Sequence, residues 1–374
     1  MTASETAPKP AVMRMPKTVD IDLTSRCNLR CRYCYFFGNE AVVYKDLTTA
    51  EWLRFFDEMG RLGVMEACLA GGEPFIREDF RELIEGLVRN RMRFSVLSNG
   101  GLITDEIASF LAKTRRCNYV QVSLDGAGPE THDACRGKGS FEAAVRGLKT
   151  LQRNKVSPAV RVTIHHHNVH ELEAIARFLL EDLRLPGFGT NSAGYLGVCR
   201  TNARDVMLTV EDRALAMKTL LALNEKYGGR INAAAGPLAE GRMWTKMVKA
   251  AASKEPAFPN GGRLTACGCT SNKIAVRADG AIVPCNMLAH MVLGRVNVDS
   301  LQDIWLNHPV LAGMRTRRSI PLANYEFCAG CEFMPYCTGN CPGLAYTIIG
   351  QVDHPSPDAC LRNYLRDGGA LPPL

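Results

Sequence analysis

Between residue 18 and roughly residue 225 the chain alternates two textures. Short β-branched runs, VDIDLT (19–24), VMEACLAG (64–71), RFSVLSN (93–99), YVQVSLD (119–125), VRVTIH (160–165) and a weaker FGTNSAG (188–194), are separated by stretches of helical period. Those stretches, TAEWLRFFDEMGRLG, EDFRELIEGLVRNR, TDEIASFLAKT, SFEAAVRGLKTLQRN and VHELEAIARFLLEDL, carry apolar residues at i, i+3, i+4 and i+7. They often open on a Thr or Ser suited to cap a helix. A repeated strand–helix unit predicts an α/β fold with a parallel sheet and helices outside it. Six units suit an open, partial (β/α)6 TIM-like barrel better than a closed barrel of eight.

In barrels of this kind chemistry collects where strands run into the following loops. Here the polar and glycine-rich residues fall at those places: CNLRCRYC after the first run, GGEP after the second, SNGG after the third, SLDG after the fourth and HHHN after the fifth. They are expected to converge on one mouth. The segment 229–264 is rich in Gly, Pro and Ala and predicts a linker with one helix. Over 265–374 regular periodicity is scarce and cysteine takes over, so metal sites rather than a large apolar core are expected to organise it. Residues 1–16 are small, polar and Pro-bearing, which predicts a flexible N-terminus before a barrel over 17–228.

Composition narrows the class. At 374 residues and 46% hydrophobic the chain can bury a large core. Neither a secretory h-region nor a run approaching the roughly 18 apolar residues of a spanning helix is present, which predicts a cytoplasmic protein with no membrane partner. The net charge of +7 is spread over short runs such as RNRMR and RTRR beside acidic helices, so no nucleic-acid partner is expected. Fifteen cysteines in a cytoplasmic chain are too many for core filler and misplaced for disulfides, which leaves metal ligation. The scattered singles, Cys68, Cys117, Cys135 and Cys199, read as small buried hydrophobes.

Cys27, Cys31 and Cys34 are spaced C-x3-C-x2-C. Three thiolates on one loop can grip three corners of a cubane iron–sulfur cluster and leave the fourth iron open. Zinc would want a fourth Cys or His close by, and His132 and His165 to His167 are remote in sequence. With Tyr33 and Tyr35 beside the last cysteine, directly after the first strand, this stretch resembles the signature of the radical S-adenosylmethionine superfamily. Further matches follow in order. Gly71, Gly72, Glu73 and Pro74 resemble the GGEP loop that meets the methionyl ammonium. Ser98, Asn99, Ser123 and Asp125 correspond to groups for the methionyl or ribose moieties, Arg136 to a guanidinium forking onto the methionyl carboxylate, and Asn168 to a helix N-cap near the adenosine. The three consecutive histidines match no such pattern and read as loop and surface residues. The resemblance implies S-adenosylmethionine and a 4Fe-4S cluster as cofactors, with a 5′-deoxyadenosyl radical as their product. It also implies a separate reductant such as flavodoxin or ferredoxin.

The C-terminal cysteines run Cys267, Cys269, Gly280, Cys285, then Cys328-x2-Cys331-x5-Cys337-x3-Cys341, then Cys360. This resembles, cysteine for cysteine, the Cys-rich iron–sulfur SPASM domain of that superfamily. The resemblance implies two auxiliary 4Fe-4S clusters, one on Cys267, Cys269, Cys285 and Cys341, the other on Cys328, Cys331, Cys337 and Cys360. Cys267 and Cys269 stand closer together than the family's two upstream ligands, which leaves open whether both ligate. Zinc knuckles would account for the second set alone, but not for the upstream motif. RADGAIVPC predicts a hairpin turning at Gly280. Enzymes of this group mostly modify a precursor peptide or protein by cross-linking, excision or oxidation of a residue. The rivals are a tetrapyrrole side chain as substrate and a sulfatase-type formylglycine maturase. With the first strand beginning by residue 19, a leader would be recognised directly or by a separate leader-recognition protein. Tyr195, Cys199 and Asp205, after the sixth strand, are candidates to face the substrate, but the catalytic residue is unknown from sequence.

Overall fold

A computed structural model describes residues 12–36, 44–265 and 267–372, so most of the expected flexible N-terminus lies outside the described residues. The six expected strands are β1 (Thr18–Thr24), β2 (Glu66–Gly71), β3 (Arg93–Ser98), β4 (Cys117–Ser123), β5 (Pro158–Ile164) and β6 (Phe188–Ser192). They pair in parallel in chain order. A further strand, β7 (Ile231–Ala233), lies inside the Gly- and Ala-rich segment, pairs in parallel with β6 and precedes a helix over Pro237–Ser253. On the other side of β1 the chain adds β8 (Lys273–Val276), parallel to it, then β9 (Ala281–Val283) and β10 (Gly294–Arg295) as an antiparallel meander. Among the described residues the sheet order is β10-β9-β8-β1-β2-β3-β4-β5-β6-β7, open at both edges. Gly280 turns the β8–β9 hairpin at φ 80°, a conformation that favours glycine.

Strand alternation sorts the residues into two faces. Val19, Ile21 and Leu23 of β1 point outward into one core with Leu69, Val96, Val120, Val122, Val162 and Ile164. Helices cover this face. The helix Thr49–Leu62, opened by a capping box between Thr48 and Glu51, lays Trp52, Phe55, Phe56 and Met59 on it, all fully buried. Each such side chain contributes about 1.5–3 kcal/mol by leaving water. The inner face is polar: Asp20 and Asp22 alternate with the core residues of β1, and Cys68, Ser95, Gln121, Ser123, Arg161 and Thr163 follow on β2 to β5. A lumen lined this way is built to hold a ligand rather than to pack.

The C-terminal part has two characters. Ile274, Val276, Ile282, Leu293, Trp305 and Leu311 join the barrel's own core, so apolar packing does organise its first half, against the expectation from sequence. Beyond them only small apolar clusters remain, and cysteines sit inside these.

Candidate active site

The strand ends meet at one mouth, and β1 delivers the first loop. The Thr24 hydroxyl donates to Asp46, and the Ser25 N–H and hydroxyl both donate to Asp46 Oδ1 at 2.8 Å. Arg77 donates to the Leu23 carbonyl at 2.9 Å while forking onto Asp79. The strand is thereby stopped, and Cys27, Cys31 and Cys34 follow on one half-buried loop. Sequence reasoning misses Asp46 and Arg77 because much of what they hold is backbone, which leaves no residue pattern.

The loop after β2 is pressed against this one. Gly71 has φ +119°, and a Cβ on it would lie 2.4 Å from the Thr24 carbonyl oxygen. The Gly72 N–H donates to Thr24 O at 2.8 Å and the Glu73 N–H to Arg26 O at 2.9 Å. Pro74 opens a short 3-10 turn, Pro74–Ile76. Glu73 is fully buried: Oε1 accepts from Ser98 Oγ at 2.8 Å and Phe75 N at 3.2 Å, and Oε2 accepts from Asn99 N at 2.8 Å. Burial pushes this carboxyl up to about 7 against those three donors. Asn99 Nδ2 donates to Asn28 and lies 3.9 Å from Cys27 Sγ. Gly71, Gly72, Glu73, Pro74, Ser98, Asn99 and Cys27 thus form one wall.

The opposite wall centres on Asp125, fully buried. Its Oδ2 accepts from the Tyr33 phenol and from Arg136 Nε, and its Oδ1 accepts from Thr163 N at 2.7 Å. Burial would raise this carboxyl, but the Arg136 charge and hydrogen bond, together with the fields of His132 and His165, outweigh it and hold Asp125 below the usual range. Arg136 Nη1 lies 3.8 Å from Cys31 Sγ. Ser123 closes β4 on the lumen face, half-buried. Asn168 makes no helix-capping bond with its side chain. Its Nδ2 donates to the carbonyls of Asp125 and Thr163 at 2.9 Å, and its Oδ1 accepts from His165 N at 2.8 Å. The amide is spent tying β4 to β5.

His165 departs from its expected surface position. It continues the two-residue period of Arg161 and Thr163, so its ring turns inward, fully buried and stacked on Tyr33 with centroids 5.2 Å apart. Burial holds it down at about 4, so it is neutral. His166 and His167 do reach the rim, paired with Asp212 at 2.6 Å and Asp205 at 3.3 Å.

The segment after β6 straps the cysteine loop. The Val198 N–H donates to Cys34 O and Asn202 Nδ2 donates to Arg32 O, each at 2.9 Å, and Arg32 pairs with Asp205 at 2.5 Å. Cys199 is fully buried beside Tyr33 and Cys135. Asp205 is held in ion pairs, and Tyr195 is exposed under Arg200. None of the three lines the lumen strands.

The later cysteines gather in two places. Cys328, Cys331, Cys337 and Cys360 line one small cavity, with Leu322, Phe333 and Asn340. Cys267 and Cys269 are hydrogen-bonded to each other, and both lie in the electrostatic field of Cys285 and Cys341.

The family model described as "Radical SAM superfamily" matches residues 21–179, and that described as "Iron-sulfur cluster-binding domain" matches 267–332. The Fe-coproporphyrin III synthase of Methanosarcina barkeri is 30% identical over 347 residues, 88% of this chain and 84% of that protein. The chain belongs to the radical S-adenosylmethionine superfamily. This radical S-adenosylmethionine enzyme is also 26% identical over 352 residues to mycofactocin maturase MftC of Mycolicibacterium smegmatis, covering 90% of one and 81% of the other. Its fold is that of Streptococcus suis SuiB bound to precursor peptide SuiA, with TM-score 0.70 at 15% identity over 94% of this chain and 77% of that one. Its cofactors are S-adenosylmethionine and iron–sulfur clusters, auxiliary ones included. The donor sets fit them. A zinc ion needs thiolates about 2.3 Å from one point. Among the described residues no three His, Cys, Asp or Glu converge on such a point, whereas four thiols around a cavity suit a cluster of several atoms. Among the described residues no helix is long and apolar enough to cross a membrane.

Proposed function

We propose that this enzyme modifies a ribosomally made peptide or protein by cross-linking, excising or oxidising a residue. The reading rests on the open, polar lumen. Its strand-borne cations are Arg93, donating to Asn118, Arg161, donating to Thr190 O at 3.2 Å, and Lys273, paired with Asp20 at 3.2 Å. A lumen of balanced charge suits a peptide segment, while a tetrapyrrole with several carboxylates calls for several unpaired cations. SuiB, which shares the fold, has been seen with a precursor peptide. The second reading, a tetrapyrrole side chain, is favoured by the 30% identity to Fe-coproporphyrin III synthase. Formylglycine formation on a sulfatase is a special case of the first.

Within this reading Cys27, Cys31 and Cys34 hold the first cluster. When bound, that cluster supplies an electron that splits S-adenosylmethionine and yields the 5′-deoxyadenosyl radical. The chain does the rest. Glu73 offers its carboxylate to the methionyl ammonium, with Gly71 and Gly72 permitting close approach and Ser98 and Asn99 fixing the carboxylate. Ser123 faces the ribose side. Asp125 and Asn168 act as braces, and Arg136 sets a positive charge beside Cys31. The two later thiol sets hold the auxiliary clusters. A flavodoxin or ferredoxin delivers electrons, and the leader is bound directly or by a separate recognition protein.

The test is anaerobic reconstitution with S-adenosylmethionine and dithionite, offering in parallel any short Cys-, Gly- or Tyr-containing peptide found encoded beside the gene and, as tetrapyrroles, iron coproporphyrin and the precursor from which it is made. A mass change in the peptide alone is expected. Conversion of the porphyrin with an unchanged peptide moves the assignment to the second reading.

A further inference from the structure

Oxidative modification of a peptide, the reading proposed above and the one on which this inference rests, leaves an electron and a proton to remove after hydrogen-atom abstraction. The lumen holds a group placed to take the proton. Asp22 lies on the inner face of β1, opposite Ala70 in register, and is only 4% exposed. It touches the Gly71 loop, since a Cβ on Gly71 would sit 3.3 Å from Asp22 Cα. Its Oδ1 accepts from Asn286 Nδ2 at 2.9 Å, and Asn286 directly follows Cys285. Its Oδ2 has no partner among the described residues and is not sealed from the lumen. One carboxylate thus joins the loop proposed for S-adenosylmethionine to the loop proposed for an auxiliary cluster, with one oxygen held and one open.

Other lumen groups are spent or unsuited. Asp20 is paired with Lys273, and Glu73 is the carboxylate proposed above for the methionyl ammonium. Burial lifts the Cys68 thiol to about 12, so it takes no proton near neutrality. Tyr35 and Cys68 nonetheless lie in the field of Asp22, and Arg277 faces it from beyond β8.

We propose that Asp22 is the proton acceptor of the reaction. A C–H hydrogen atom leaves the substrate for the deoxyadenosyl radical. The auxiliary cluster that the later thiols would hold would supply the one-electron oxidant, and as the carbon radical is oxidised an adjacent S–H, N–H or O–H loses its proton to Asp22 Oδ2. A new bond to the carbon forms, and Asp22 returns the proton to solvent. Asn286 is a positioning residue that keeps Oδ2 turned to the substrate. Burial, then the neighbouring charge of Asp20, lifts the Asp22 carboxyl to about 7 against the pull of Asn286 and Arg277, which suits a group that accepts and releases a proton near neutrality.

Infrared spectra of the full chain labelled with [13C]aspartate, titrated from pH 5 to 9, test the group without any turnover. Expected is a protonated-carboxyl band with a midpoint near 7 that is lost in Asp22→Asn and moves to higher pH in Asn286→Ala. No band titrating in that window overturns the proposal. With the peptide modified in the test above, Asp22→Asn should lower the ratio of product to 5′-deoxyadenosine about 100-fold, with Asp22→Glu recovering part of it. An unchanged ratio overturns the assignment, since a structural defect lowers both yields together. Failure of every peptide removes the substrate reading, while the infrared titration still decides on Asp22.

Discussion

Gly72 sits so close beneath Arg26 that a Cβ on it would lie 2.1 Å from the Arg26 carbonyl oxygen. Backbone faces backbone there, and the neighbouring N–H bonds from Gly72 and Glu73 hold the two loops in register, so no side chain can swing away to make room. Gly72→Ala therefore separates the cysteine loop from the Glu73 loop, at a cost of roughly 1–3 kcal/mol or more. The expected result is a lowered melting temperature and a loss of S-adenosylmethionine binding in the reconstituted protein. Calorimetric binding that matches the unsubstituted chain would remove the contact from the site.

Glu73 gives a pH dependence of definite sign. Burial lifts its carboxyl from 4.5 to about 7, so it is largely neutral at pH 6 and largely ionised at pH 8. Only the ionised form attracts an ammonium. The affinity for S-adenosylmethionine should rise about tenfold between pH 6 and pH 8, with proton release on binding at neutral pH. Ser98→Ala removes a donor to the carboxylate and should move the rise to higher pH. Equilibrium binding measured across that range checks both, and a flat profile would dissociate Glu73 from the ammonium.

The barrel was legible in the sequence because β-branched runs and helical periods alternate at fixed spacing, and the strand-end motifs mark its mouth. What stayed hidden was set by distant partners. INA makes a strand only because β6 lies beside it, and KIAV joins β1 in parallel although about 250 residues separate them. His165 looked like part of a polar loop because polar residues continue the alternation of β5 past the strand's end. Asn168 reads from its place after that strand as a helix N-cap near the adenosine, yet its amide is consumed by Asp125, Thr163 and His165. Short polar side chains at strand ends serve ligand and backbone alike, and spacing alone does not separate the two uses.

Cys267 and Cys269 are hydrogen-bonded to each other and share the field of Cys285 and Cys341, so the reading proposed above assigns both to one cluster. Three 4Fe-4S clusters correspond to about twelve irons per chain. Cys267→Ser and Cys269→Ser should each lower the iron content toward about eight and change the same component of the reduced electron-resonance spectrum. Full iron and an unaltered spectrum in either variant would make that thiol a bystander.

Arg136 and Asp125 form a buried ion pair whose other members, Tyr33 and Thr163, cannot replace the guanidinium charge. Removing one partner strands the other, and Arg136→Met should cost about 3–5 kcal/mol by leaving a charged Asp125 in the interior. Asp125→Asn combined with Arg136→Met should recover a large part of that, since a neutral amide needs no counter-charge. The sign with pH follows from the depressed Asp125 carboxyl: the pair's contribution is present above the unfolded value near 4 and is lost as pH falls through the lower folded value. Denaturant melts of the full chain should show the gap between the unsubstituted protein and Arg136→Met narrowing below about pH 4. A second effect separates structure from chemistry. Arg136 Nη1 lies 3.8 Å from Cys31 Sγ, so the guanidinium favours the more negative, reduced state of a cluster held there. The potential of the first cluster should therefore fall in both the single and the double variant, even where stability has returned in the double. Recovery of potential together with stability would reduce Arg136 to a packing role.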